Sequence, residues 1–588
     1  MKILLVAVDT KFIHTNLAVH SIRAYSGKYK NHIHVAQYSI NHMKDDILRG
    51  IYLHKADVVA FSCYIWNIRI IESVMEDLKR VQPQVKIWFG GPEVTYYPEE
   101  SLLKYNSLDG IIIGEGEQTF CEVMEYYLGI RTELDTINGI AFKDSARLFG
   151  ADDKSADAIM ITPFRKILPL DDIPFAYEDM QEHQNKIIYY ESSRGCPYSC
   201  SYCLSSANIG LSSAGIGLSS ARRGVRYRSM ELIKKELGIF LEYKVPQVKF
   251  IDRTFNCNKE HALAIWQFIK EHDNGITNFH FEITGDLLNE EELSLLESLR
   301  PGLVQLEIGV QTTNPDTMEA IRRKVDFERL AENVKRIKKA HNIHQHLDLI
   351  AGLPLEDYHS FEKSFYDVYM LKPDQLQLGF LKVLKGSIME GECEKYGIAY
   401  KNEPPYEVLF TKHLSYDEVL ELKGICEMVE VYYNSGQFAY SIKYLEHYFE
   451  TSMRLYAFIY HYYMKKGLYT LAHSRMRRYE ILFEAFLDRI GTDENQMNVF
   501  RELLVFDLCL REELKNRPEY AGEPIPYRRY REICEEQKLD RHKIHIEQFA
   551  HDVIESAKTG KAVKKDGTIL FDYGRRDPIT YSAKTIIL

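Results

Sequence analysis

Basic residues are the minority charge: 74 Lys and Arg stand against 85 Asp and Glu, leaving a formal net charge of −11. A nucleic-acid-binding surface as the dominant feature is therefore not indicated, although a local basic face is compatible with that balance. A membrane-spanning N-terminus is also lacking. The apolar run in "MKILLVAVDT" is far too short to cross a bilayer and no small-residue cleavage site follows it, so it reads as a first buried strand and the chain as cytoplasmic. Cysteines are few, ten in 588 residues, and three of them are clustered, which points to metal binding in a reducing compartment more than to disulfides. The remaining composition, 45% hydrophobic and 27% charged, is that of a globular protein of about three domains.

What is present begins with alternating strand and helix patterns over the first 130 residues. Apolar runs at 3–8, 34–40, 57–64, 85–89 and 110–113 are separated by amphipathic stretches such as "IRIIESVMEDLKRVQ" at 68–82, the pattern of a Rossmann-like, doubly wound parallel sheet. Ligands of such sheets lie beyond the carboxyl ends of the strands. There the sequence reads "DTKFIHTN", "SCYIWN", "FGGPEVTYYP" and "IGEGEQTF". Gly90, Gly91, Gly114 and Gly116 either admit backbone close to a bulky ligand or make tight βα turns.

A bridge follows, with a hairpin in "INGIAFKDSARLFG" and a Pro-punctuated segment ending near "LDDIPF". A second strand–helix alternation starts at "IIYYESSRGC". Its strands "VKFID", "FHFEIT", "LVQLEIGV", "HLDLIAGLP" and "QLQLGFLKV" recur over about 200 residues, the rhythm of a full or partial (β/α) barrel. Beyond residue 405 the pattern is mostly helical and Tyr-rich until a period-2 tail. The expected domains are 1–135, a linker at 136–185, 186–400 and 401–588.

Cys196, Cys200 and Cys203 stand in C-x3-C-x2-C spacing on the loop after the first barrel strand, the face where active sites of such barrels are built. A fourth ligand is missing. Structural zinc normally closes with four, whereas an iron-sulfur cluster with one open iron suits three. The run Cys196, Cys200, Tyr202, Cys203 resembles the signature of the radical S-adenosylmethionine (SAM) enzymes. "KFIDRTFNCN", "EITGDLL", "LEIGVQTTNPDTM" and "DLIAGLPLED" look like that superfamily's barrel strands in order. The preceding domain is similar to the cobalamin-binding domain that a large subgroup carries.

The resemblance implies a [4Fe–4S] cluster on the three cysteines, SAM on its open iron, cobalamin on the N-terminal sheet and a helical C-terminal domain of uncertain role. Cleavage of the sulfonium would give a deoxyadenosyl radical that must be kept from water. By position, Asp252 matches the contact to the methionine amino group, or else caps the next turn. Gln311, Ile350 and Gly352 match the ribose and adenine neighbourhood. Arg226 and Arg228 would neutralise the methionine carboxylate, or else are solvated or paired with acids. The Asp-x-His-x-x-Gly signature that supplies an axial histidine is absent from the N-terminal domain; the near match at Asp540–His542 lacks the glycine. His14 is then the one histidine near the strand-one loop, and Tyr64 and Trp66 either flank the corrin or form a packed aromatic edge.

The reaction implied is methylation of an unactivated carbon, with cyclisation or rearrangement as the alternative and a non-catalytic binding or sensing protein as the other class. A methylthiotransferase would need three more cysteines in the N-terminal domain, where only Cys63 and Cys121 occur. Partners are a substrate (small molecule, peptide or RNA) and an electron donor such as a flavodoxin or ferredoxin, with no membrane. The thrice-written heptad LSSANIG, LSSAGIG, LSSARRG reads as a local duplication lengthening the loop. Arg475, Arg477, Arg478 and Arg528, Arg529, Arg531 either grip phosphate or form solvated helix faces.

Overall fold

In a computed structural model, which describes residues 1–144, 159–204, 224–491, 493–514, 517–536, 540 and 543–588, the chain divides into two compact units. The first holds residues 1–304, 318–324 and 381–411, the second 305–317, 325–380 and 412–588. Residues 205–223 of the heptad repeat and 541–542 of the Asp540 near match lie outside the described residues. Among the described residues no helix is long and apolar enough to cross a membrane.

The first unit opens with seven strands: β1 (Ile3–Asp9), β2 (Ile33–Ser39), β3 (Val58–Ser62), β4 (Lys86–Gly90), β5 (Gly110–Ile112), β6 (Ile140–Lys143) and β7 (Ile159–Ile161). They form one sheet in the order β2-β1-β3-β4-β5-β6-β7. All seven residues of β1 are buried, because helices cover both faces, and this is why it reads as an unbroken apolar run. Leu4, Val6 and Val8 pack with Ile71, Val74, Met75 and Leu78 of helix Ile68–Val81 on one face. Ile3, Leu5 and Ala7 pack with Phe120, Val123 and Met124 of helix Glu117–Tyr127 on the other. Strands β1 to β5 pair in parallel. β6 pairs antiparallel with both β5 and β7, so the sheet carries an antiparallel edge. The first arm of the expected hairpin is β6; the second, "RLFG" at 147–150, lies outside the described residues.

The sheet order reverses between β1 and β3, where a doubly wound sheet opens its ligand crevice. Later in the same unit β8 (Ile187–Tyr190) and a short ribbon of β9 (Ser193–Arg194) with β10 (Arg226–Tyr227) lead to β11 (Gln247–Phe250) and β12 (Asn278–Ile283). β8, β11 and β12 lie parallel in that order, and helices Lys259–Glu271 and Glu290–Glu297 start on capping Asn258 and Asn289.

In the second unit β13 (Val304–Gln311), β14 (His344–Ala351) and β15 (Gln375–Phe380) are again parallel and in sequence order. Helices Tyr416–Val429, Ser452–Lys465, Arg475–Ile490 and Glu494–Arg511 follow, the first closed by a Ser415/Glu418 capping box. The period-2 tail becomes an antiparallel sheet of Ile544–His551, Lys564–Arg576 and Ala583–Ile587.

Candidate functional site

At the crevice of the N-terminal sheet one side chain ties the two diverging strands. Asn67 donates through Nδ2 to Val8 O (3.0 Å) on β1 and Ser62 O (2.9 Å) on β3, and its Oδ1 accepts from Tyr64 N (2.8 Å). Trp66 Nε1 donates to Val8 O as well (3.3 Å), and its ring stacks on Tyr64 at 4.3 Å and 7° while 41% exposed. The pair thus presents a flat apolar face at the ligand edge. Asp9 ends β1 and takes Asn16 Nδ2 at 3.0 Å; burial pushes its carboxyl up to about 6 against that hydrogen bond. His14 bonds Thr10 through Nδ1 at 3.1 Å and lies edge-on to Tyr189, and burial and then Lys11 and Lys249 lower its pKa.

The four glycines differ. Gly91 has φ +115, and a Cβ there would stand 2.5 Å from Cys63 O, so packing against the neighbouring strand end requires glycine. Gly114 has φ +79 with open space where its side chain would be, which leaves room for a ligand. Gly90 ends β4, and Gly116 lies against Ile22.

The cysteine loop leaves the β9–β10 ribbon. Backbone bonds from Ser201 N to Ile321 O and from Met389 N to Ser201 O, both 2.9 Å, pin it on two sides. Cys196 Sγ lies 3.6 Å from Thr254 Oγ1. Burial pushes the Cys200 thiol up, and Arg323, whose Nη1 donates to Cys200 Sγ at 3.9 Å and to Tyr202 Oη at 3.5 Å, opposes that shift. Tyr96, on the turn after β4, is pushed up to about 12 by burial and next by the charge of Cys203. Cys203 and Cys196 both bear on the Cys200 thiol and add to its upward shift. A donor set of three thiols on one loop fits a multi-iron cube with one iron left open.

Asp252 is fully buried, and its carboxylate accepts from Ser192 N (3.0 Å), Ser192 Oγ (2.6 Å) and Ser193 Oγ (2.5 Å). Burial raises it to about 6 against those donors. Both of its oxygens therefore fasten the turn that launches the loop. Both flanking arginines pair with acids. Arg228, 8% exposed, is closed by Glu236 and by Leu170 O (2.6 Å) and Ile173 O (2.8 Å). Arg226 is bonded to Glu115 and Leu168 O. The cation set against the cysteines is instead Arg323. Sequence reasoning passed over it because 123 residues separate it from Cys200.

In the second unit Gln311 ends β13 with φ +74, a strained value for a residue with a side chain. Thr312 Oγ1 next to it donates to Glu356 Oε1 at 2.6 Å. Glu356 is 1% exposed, and burial, opposed by Thr312 and Ser364, raises it to about 7. Ile350 is the last residue but one of β14, and Gly352 (φ +83) follows its end. Ile350 shares a strand face with His346 and Asp348, and these two with Glu307 have donor atoms within 4.8 Å of one another. Of the C-terminal arginines, Arg475 pairs with Glu512, Arg477 with Glu480 and Glu484, Arg528 and Arg529 with Glu532, and Arg531 with Glu535, as on solvated helix faces.

Family models match this arrangement piece by piece. Residues 3–124 match the B12 binding domain and residues 190–367 the Radical SAM superfamily. The chain is a radical SAM protein with an N-terminal B12 binding domain. Residues 394–571 of this radical SAM protein match a third model, a protein of unknown function (DUF4080). An uncharacterized methyltransferase of Pyrococcus horikoshii is 25% identical over 388 residues, 64% of this chain and 77% of that one. The cobalamin-dependent radical SAM methyltransferase TokK of Streptomyces tokunonensis is 26% identical over 324 residues, 52% of this chain and 44% of its own. In fold, the chain is similar to the cobalamin-dependent S-adenosylmethionine radical enzyme OxsB, with a TM-score of 0.57 at 13% identity over 83% of this chain and 79% of that one. It is also similar to the radical S-adenosylmethionine methyltransferase TsrM of Kitasatospora setae, with a TM-score of 0.53 at 13% identity over 69% of this chain and 79% of that one.

Proposed function

We propose that this radical SAM protein methylates an unactivated carbon of its substrate, using a [4Fe–4S] cluster, SAM and cobalamin. The observation that carries the reading is the presence, within one compact unit, of a three-thiol loop and of the ligand edge of a doubly wound sheet. When bound, the cluster and SAM supply a deoxyadenosyl radical and the corrin supplies a transferable methyl group. Cys196, Cys200 and Cys203 hold the irons. Arg323 places a partly buried positive charge beside them, suited to an anionic ligand group, while Asp252 keeps the loop on its turn. The Tyr64–Trp66 stack and the open side of Gly114 offer the corrin a flat face and room. A one-electron donor of the flavodoxin or ferredoxin type is the matching reductant.

The test is to purify the chain anaerobically, reconstitute and reduce it, add SAM and cobalamin, and quantify products in extracts containing the substrate pool. Deoxyadenosine together with S-adenosylhomocysteine supports methyl transfer. Deoxyadenosine alone would move the assignment to rearrangement or cyclisation, and neither product would move it to a binding protein.

A further inference from the structure

Both roots of the cysteine loop are bonded to the segment that joins β5 of the N-terminal sheet to its next helix. Arg194, on β9 and two residues before Cys196, directs Nη1 to Glu115 Oε2 at 3.0 Å and Nη2 to Glu117 Oε1 at 2.9 Å. Its Nε and Nη2 also engage Glu191, at 2.9 and 2.7 Å. Arg226, on β10 at the other root, takes the second oxygen of Glu115. Glu115 lies in the turn after β5, beside Gly114 at the ligand edge, and Glu117 opens the helix that leaves that turn. Glu117 is 5% exposed and is held from behind by Ser21 Oγ at 3.0 Å.

We propose that Arg194 is a positioning residue that makes cobalamin binding and cluster assembly interdependent, an inference that rests on the assignment of these two cofactor loops. Its planar guanidinium engages three carboxylates at once, which a lysine ammonium cannot reproduce. Three carboxylates share two arginines here, and moving the turn away from the loop would strip the buried Glu117 and the half-buried Glu115 of their cations, a cost set chiefly by Glu117. A turn seated by the corrin therefore holds the loop in place, and a loop seated by the cluster holds the turn. Linkage of this kind acts equally in both directions.

The experiment measures the cobalamin dissociation constant of the full chain, by absorbance titration, with and without a reconstituted cluster. For the wild type, cluster loading should tighten cobalamin at least about five-fold. In Arg194→Gln and Arg194→Lys the ratio should fall to near one, with iron content and cobalamin binding themselves retained. Should these variants fail to fold, Glu115→Gln, which leaves Arg194 its two other carboxylates, should give an intermediate ratio. A wild-type ratio near one, or an unchanged ratio in the variants, overturns the proposal. A wild-type chain that takes up neither iron nor cobalamin overturns the functional reading as well, and iron analysis tells that outcome apart.

Discussion

Glu117 in the first unit meets the opposite fate to Glu356 and Asp507 in the second, although all three carboxylates are buried. Burial alone would raise Glu117 in the first unit, but the charge and hydrogen bonds of Arg194 carry it below the usual carboxylate range. Glu356 and Asp507 in the second unit are buried as deeply, but hydroxyl groups and backbone N–H groups supply most of their contacts. Burial dominates there and raises both to about 7. Depth does not decide the charge state; the partner does. Glu117 is thus held in a charge lattice by Arg194, whereas Glu356 and Asp507 sit close to neutrality among neutral donors, as Asp252 does beside the cysteine loop. The C-terminal region is also joined by phenols, as in Tyr369 Oη to Glu446 (2.5 Å) and the Tyr432–Tyr463 contact (2.7 Å).

The sharpest way to separate the regions is Cys200→Ala. It should abolish both the brown cluster absorbance and deoxyadenosine formation while leaving the melting transition of the second unit in place; a variant that still cleaved SAM would break the comparison at its root. Next comes Asp507→Asn. The native carboxyl holds a proton between about 4 and 7 that the unfolded chain releases, so its contribution to stability is present at low pH and lost as pH rises through 7. The variant should flatten that dependence, read as a smaller difference in melting temperature between pH 5 and pH 8, with cluster content unchanged. An undiminished pH dependence would place the proton elsewhere.

A smaller effect is expected from Glu117→Gln, which removes one of three carboxylates from Arg194. A loss of about 1–3 kcal/mol in the first unit should result, measured by denaturant unfolding, and a neutral outcome would mean that the lattice is not under load. Smallest of all is Arg528→Ala. That side chain is 93% exposed and paired only along its own helix, so the melting temperature should not change measurably.

Much of the architecture was legible because strands buried on both faces write continuous apolar runs and their covering helices write a 3.6-residue period. That reading placed β1 to β5 and the cysteine loop. It did not give the antiparallel pairing of β6 with β7, since β7 spans three residues, none of them fully buried. In the candidate site, spacing along the chain identified the thiols but not their surroundings. "GEGEQ" drew attention for its glycines, although its two glutamates receive the arginines. Arg226 and Arg228 read either for an anionic ligand or for pairing with acids, and the structure pairs them with Glu115 and Glu236. Arg323 reaches Cys200, and Asn67 reaches Val8, only in the folded chain, and spacing along the sequence marks neither contact.

Mössbauer spectroscopy of the anaerobically reconstituted chain, before and after SAM is added, tests the central claim most directly. A four-iron cluster in which one iron changes its signal when SAM arrives is the predicted result. Iron that ignores SAM, or a chain that holds zinc or no metal at the three cysteines, would contradict it.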